Sequence, residues 1–151
     1  MTEEAGGSSE LTTPALLRAA RGTYGSAIDR ALSEADCDDM PRNGSFVISA
    51  ILRTGAPLGS IIEALGVSKQ AAGQLVDTLV VRGYLVRAVD PEDRRRLTIS
   101  LTERGKAAAQ AIRAAVVEVD AELERRVGPE SVAQARTVLY ALMAVGRDSA
   151  A

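Results

Sequence analysis

Three consecutive arginines, Arg94, Arg95 and Arg96, end a turn that opens with Asp90-Pro91. Three guanidinium forks side by side suit one kind of chemistry, the binding of anionic oxygens. A charge run alone is more often a solvated surface, so its setting has to decide. On one side Leu85, Arg87 and Val89 alternate with Val86 and Ala88; on the other Leu97, Ile99 and Leu101 alternate with Thr98 and Ser100. That period of two predicts a pair of half-buried strands. Pro91 and the acids around it break regular structure and mark the turn. The reading is a lone hairpin, arginine-tipped, in a chain whose other segments carry helical periods.

The elements upstream narrow the anion. Leu58, Ile61, Ile62 and Leu65 make one face of a short helix, and Gly66 is placed to close it in a left-handed conformation. Ser68 then serves as N-cap of a second helix that turns Ala72, Leu75, Val76, Leu79 and Val80 inward and ends at Gly83. Two helices around a Gly-Val-Ser turn predict a helix-turn-helix, whose second helix can enter a DNA major groove. Lys69, Gln70, Gly73 and Gln74 then face outward near its start. Gln pairs bidentately with adenine edges, and Lys reaches guanine or phosphate. A side-chain-free Gly73 would permit close approach, although taken alone it is only a weak spot in a helix, and Lys69 and Gln70 alone are ordinary surface residues.

Composition agrees. The 151-residue chain carries a net charge of −2, which is not the profile of a protein that coats nucleic acid without specificity. Residues 1–40 hold three basic and eight acidic side chains, whereas residues 68–106 hold eight basic and five acidic. The positive excess sits on the helix-turn-helix and hairpin. There is no histidine, no Gly-rich phosphate loop and no metal-ligand cluster, so neither an enzyme nor a metal or other cofactor is expected. The single cysteine, Cys37, excludes an intrachain disulfide, and the carboxylates of Asp36, Asp38 and Asp39 disfavour its thiolate. Those three aspartates read as a solvated acidic loop in preference to a cation site.

The remaining segments read as assembly apparatus. Residues 13–34 place Leu16, Leu17, Ala20, Tyr24, Ala27, Ile28, Ala31 and Leu32 on one helical face. Residues 45–53 predict a short apolar helix. A long helix starts at Ser100 or Thr102 and runs to about Val127, with Ala108, Ala111, Ile112, Ala115, Val116, Val119 and Leu123 inward. Gly128-Pro129 breaks it, and residues 130–145 supply a last helix with Val132, Ala135, Leu139, Leu142 and Met143 inward. Residues 1–10, acidic and rich in Gly and Ser, read as a disordered tail and not a signal peptide, and no apolar run approaches a membrane span; a cytoplasmic location is expected.

Taken together these features resemble the MarR family of winged-helix transcriptional regulators. The likeness rests on Asp90-Pro91-Glu92-Asp93-Arg94-Arg95 leading to a second strand, and on Leu101-Thr102 with Gly105 opening the long helix. It covers residues 58–106 strongly, and the flanking helices by order and length; Ile62 departs from the small residue common in the family's first helix. The resemblance implies a mainly α fold with a small β-hairpin wing: a winged helix-turn-helix lobe over 41–102, with dimerisation helices over 11–34 and 103–147 of a single domain 11–151. The arm helices would interleave in a homodimer, the alternative being that they fold back within one chain. The dimer would bind a palindromic DNA operator, with half-sites about one helical turn apart. Ser68, Lys69, Gln70 and Gln74 would serve the major groove. Arg94, Arg95 and, with an open orientation, Arg96 would serve the minor groove, with Asp93 supporting the wing. A small-molecule effector would sit near Tyr24 and Phe46, with Arg21 or Arg18 as anion partner, although core packing competes for each aromatic. The competing reading of the whole chain is a winged-helix protein-interaction module.

Overall fold

The computed structural model describes residues 11–54, 66–95 and 97–148. In chain order the elements are α1 (Thr13–Glu34), α2 (Gly44–Thr54), α3 (Lys69–Val81), β1 (Leu85–Val89), β2 (Leu97–Leu101), α4 (Glu103–Val127) and α5 (Pro129–Asp148). The short helix expected over 58–65, with its Ile62, lies outside the described residues, as does Arg96.

Local chemistry explains where these elements begin and end. Ser68 Oγ accepts the Ala71 N–H at 3.1 Å and caps α3. Gly66 just before it takes φ 62°, as the turn requires. At the other end Gly83 (φ 77°) closes a Schellman turn: its N–H reaches Val80 O at 3.0 Å, and Tyr84 N–H reaches Leu79 O at 2.9 Å. α1 ends the same way with an aspartate in the glycine position. Asp36 sits at φ 56°, its N–H donates to Ser33 O at 3.1 Å, and Cys37 N–H donates to Leu32 O at 2.8 Å. Of the two candidate starts for the long helix, Thr102 is the cap, accepting Gly105 N–H at 3.0 Å.

α4 is the spine, packed on α1, α2, β2 and α5. The core joins Leu32 of α1, Val47 and Ile48 of α2, Val76 and Leu79 of α3, Tyr84 and Leu85, and Ala108, Ala109 and Ile112 of α4. β1 and β2 pair antiparallel with Leu85 opposite Leu101, Arg87 opposite Ile99 and Val89 opposite Leu97.

Two expectations need correction. The hairpin is not half-buried along its length: Leu85 is buried, whereas Arg87 and Val89 on the same face are exposed. The core reaches the hairpin at Leu85 on β1 and, as partly buried contacts, at Ile99 and Leu101 on β2. The apolar face of α5 is not inward within one chain either. Val132 is buried, but Leu139, Leu142 and Met143 are 43%, 47% and 57% exposed, because α5 leans on α4 alone among the strongly packed elements. Folding back therefore leaves this face uncovered. No helix among the described residues is long and apolar enough to cross a membrane.

Candidate nucleic-acid interface

The inward stripe of α3 (Ala72, Val76, Leu79) anchors that helix and leaves its first turns facing out. Ser68, Lys69, Gln70 and Gln74 are all exposed. Around Gly73, nothing lies within 4 Å of where a Cβ would stand. Arg87 of β1 forms an ion pair with Asp77 of α3, tying wing to helix.

At the wing tip the two aspartates shape the loop instead of pairing with the arginines. Asp90 Oδ1 accepts Glu92 N–H at 2.9 Å, and Asp93 Oδ1 accepts Arg95 N–H at 3.0 Å. These are Asx turns, and they leave Arg94 and Arg95 exposed. Neither arginine makes an ion pair among the described residues, so both guanidiniums stand open to an external anion.

The base of the wing is held very differently. Tyr84 is fully buried, and its hydroxyl donates to Asp39 Oδ1 at 2.5 Å. Arg104, in the first turn of α4, lies 4.3 Å from the Tyr84 ring centroid and donates to the same Oδ1 at 2.8 Å. Burial, then the bond to Asp39, pushes the Tyr84 hydroxyl well above its ordinary range. The Tyr84 bond, then Arg104, holds the Asp39 carboxyl below its usual value. Gly105 completes the joint, since a Cβ there would stand 2.1 Å from Tyr84 O. The sequence reading missed Tyr84, Asp39 and Arg104. In sequence Asp39 reads as part of a solvated loop, and the one signal is that Arg104 lies inside the Leu101-Thr102 to Gly105 helix start.

A cleft of about 790 Å³ opens between α1, α2 and the 35–43 segment. Tyr24, Phe46 and Arg21 all line it, with Met40, Arg42 and Asn43. Core packing accounts for Tyr84 but not for Phe46 or Tyr140, which are 42% and 71% exposed. The Tyr24 hydroxyl donates to Asp120 Oδ1 at 2.5 Å, and Arg136 of α5 donates to Asp120 Oδ2 at 2.8 Å. Burial, then the Asp120 bond, raises Tyr24 to about 12. Cys37 is buried, with its thiol 3.3 Å from Ala35 O. No cluster of potential metal ligands occurs among the described residues.

A capped helix facing outward, followed by a two-stranded wing and a long packing helix, defines a winged-helix protein. Residues 38–96 match the sequence model of the MarR family. The HTH-type transcriptional regulator PetP of Rhodobacter capsulatus is 32% identical over 89 residues, 59% of this chain and 54% of PetP, so the chain spans about half the length of that relative. Among solved structures, the Staphylococcus aureus MepR–DNA complex superposes with a TM-score of 0.69 at 22% identity, covering 91% of this chain and 99% of that one. The MarR family transcription regulator SP03579 superposes at 0.70, also at 22% identity, covering 91% and 87%. The chain is thus similar to the MarR family, by sequence over residues 38–96 and by fold over most of its length.

Proposed function

We propose that this protein is a sequence-specific, double-stranded-DNA-binding transcriptional regulator, acting in the cytoplasm as a homodimer on an inverted-repeat operator. The observation that carries the reading is a set of exposed polar groups: Ser68 at the cap of α3, Lys69, Gln70 and Gln74 on it, and Arg94 and Arg95 at the wing tip, which form no ion pair among the described residues. In this reading α3 enters the major groove of each half-site. Ser68 caps the helix and presents its N-terminal N–H groups to a phosphate, while Gln70 and Gln74 face base edges. The wing, with Arg96 as a further contact, enters the flanking minor groove, where A·T-rich sequence deepens the negative potential. MepR solved as a DNA complex supports a fold able to present such a surface.

The domain is read as a DNA-binding lobe over 41–102 carried by arms over 11–34 and 103–147. The exposed apolar face of α5, with Leu139, Leu142 and Met143, supports the dimer, whose two-fold axis would place the lobes on successive grooves. The cleft at Tyr24, Phe46 and Arg21 is proposed as an effector site whose occupancy releases a repressor from its operator. A protein-docking winged helix would present an apolar α3 face, and the Lys69, Gln70 and Gln74 surface speaks against it.

Fluorescence anisotropy with duplex DNA from upstream of the protein's own gene tests the reading. Arg95→Ala is expected to weaken binding about tenfold and to lower the salt slope by about one per arginine lost. Unchanged affinity and slope would take the wing out of the groove. Sedimentation that finds a monomer at micromolar concentration would remove the dimer.

A further inference from the structure

The segment 35–43 joins α1 to α2 and has two working sides. On one side Met40, Pro41, Arg42 and Asn43 wall the cleft. On the other, Asp36 and Asp39 hold the base of the wing. Besides binding Tyr84 and Arg104 through Oδ1, Asp39 accepts a bond from Arg104 at Oδ2 (3.3 Å) and one from Arg82 at its carbonyl. Arg104 also reaches Asp36 O at 3.2 Å and Arg82 O at 2.5 Å.

Those partners come from three elements. Arg82 is the C-cap of α3, Tyr84 immediately precedes β1, and Arg104 lies in the first turn of α4. One residue therefore gathers all three: the Asp39 carbonyl takes the end of the outward-facing helix, and its carboxylate takes the root of the wing and the start of the arm. Asp39 and Met40 are sequence neighbours, so one peptide plane separates the clamp from the cleft wall. The segment is also braced internally. Its start is the Schellman turn on Asp36, with Cys37 buried; at its end Gly44 N–H donates to Pro41 O at 2.8 Å. A Cβ on Gly44 would stand 2.8 Å from the Met40 sulfur, so this end is close-packed. A braced, packed segment passes displacement on instead of absorbing it.

We propose that segment 35–43 couples the cleft to the DNA-binding elements, with Asp39 and Arg104 as the positioning residues that transmit its movement to α3 and the wing. The inference rests on the DNA-binding reading above and adds the physical route by which cleft occupancy reaches it. Two sites sharing one packed element have a coupling free energy, and a double-mutant cycle measures it.

The probe is a side chain grown into the cleft. Gly25 lines it, with open space where a Cβ would stand, so Gly25→Leu fills it from α1; Ser45→Phe fills it from α2 if the first variant does not fold. With dimerisation unchanged by sedimentation, the filled cleft is expected to shift operator affinity about tenfold in the wild-type background. The same change should produce less than about twofold in Asp39→Ala. Asp39→Asn, which keeps the acceptor oxygen, should restore part of the coupling. Hydrogen exchange at residues 85–89, measured without DNA, should rise on filling the cleft in the wild type and respond less in Asp39→Ala. Independent, multiplying effects of the two substitutions, or wing exchange indifferent to cleft filling, would overturn the inference. A wild type that binds no duplex, while its wing exchange still responds through Asp39, would overturn only the DNA reading and leave the coupling standing.

Discussion

The same three groups, a tyrosine hydroxyl, a carboxylate and a guanidinium, meet twice in this molecule. At the wing base they are Tyr84, Asp39 and Arg104; in the arm they are Tyr24, Asp120 and Arg136. Each tyrosine donates at 2.5 Å and each arginine at 2.8 Å, so the chemistry alone does not distinguish them. Their surroundings do. Tyr84 is fully buried with Arg104 laid over its ring, and Arg104 also takes up two backbone carbonyls. Tyr24 is half-buried on the wall of the cleft, and Arg136 makes its bond from an exposed position. In the first triad the core encloses the tyrosine, while the Asp39 and Arg104 side chains stay 46% and 38% exposed. The second holds α1, α4 and α5 together while facing space a ligand can enter. Identical groups become a fixture or an addressable contact according to how much of the tyrosine the core covers.

The largest expected effect breaks the wing-base joint directly. Gly105→Ala would drive a methyl into the Tyr84 carbonyl, and urea denaturation should register a loss of about 3 kcal/mol. Tyr84→Phe tests enclosure more gently, by removing one buried bond while Arg104 still serves Asp39; a loss of about 1 kcal/mol is expected. Tyr24→Phe should cost only about 0.5 kcal/mol, since water can replace its hydroxyl at the more open site. Equal losses for the two tyrosines would erase the distinction between the triads.

The two sites should also separate on the acid side of a pH profile, where Asp39 acts, whereas at alkaline pH both tyrosines contribute. Asp39 is held below its ordinary 3.8, so its contribution is present above that value and fades as pH falls through the depressed one. Tyr24 is raised from 10.0 to about 12, so its contribution is intact below pH 10.0 and fades as pH rises through about 12. Thermal midpoints across pH should show Asp39→Asn flattening the acid limb and Tyr24→Phe the alkaline limb; the reverse assignment would refute it. The smallest effect belongs to charge without a tyrosine. Glu122 pairs with Arg125 and Arg126 on the surface of α4, and Glu122→Gln should cost less than about 0.5 kcal/mol.

Much of the fold was legible because its signals are local. The bounds of α1, the Ser68 cap, the left-handed Gly66, the Gly83 stop and the Pro129 break each act within a turn of chain. The wing was legible for the same reason, since Asp93 acts on the Arg95 N–H two residues away. Its burial was not, because alternation says which face a residue takes and not how far the core extends beneath it. Tyr24, Phe46 and Arg21, chosen from composition and family likeness, do surround one cleft, but Arg42 and Met40 of the same wall carried no pattern to mark them.

Neither triad could be seen in the same way. Asp39 and Arg104 are 65 positions apart, and Tyr24 and Asp120 are 96 apart. Three acids near Cys37 look alike as sequence; packing of α4 against the 35–43 segment brings Arg104 to Asp39, and leaves the exposed Asp38 with no ion pair among the described residues. By itself the sequence determined the order of elements, their caps and the arginine-tipped wing, because short-range sterics and hydrogen bonds decide those. Only the tertiary structure decided which polar groups meet, which tyrosine is enclosed and which apolar face stays open, because burial is a property of the packed whole.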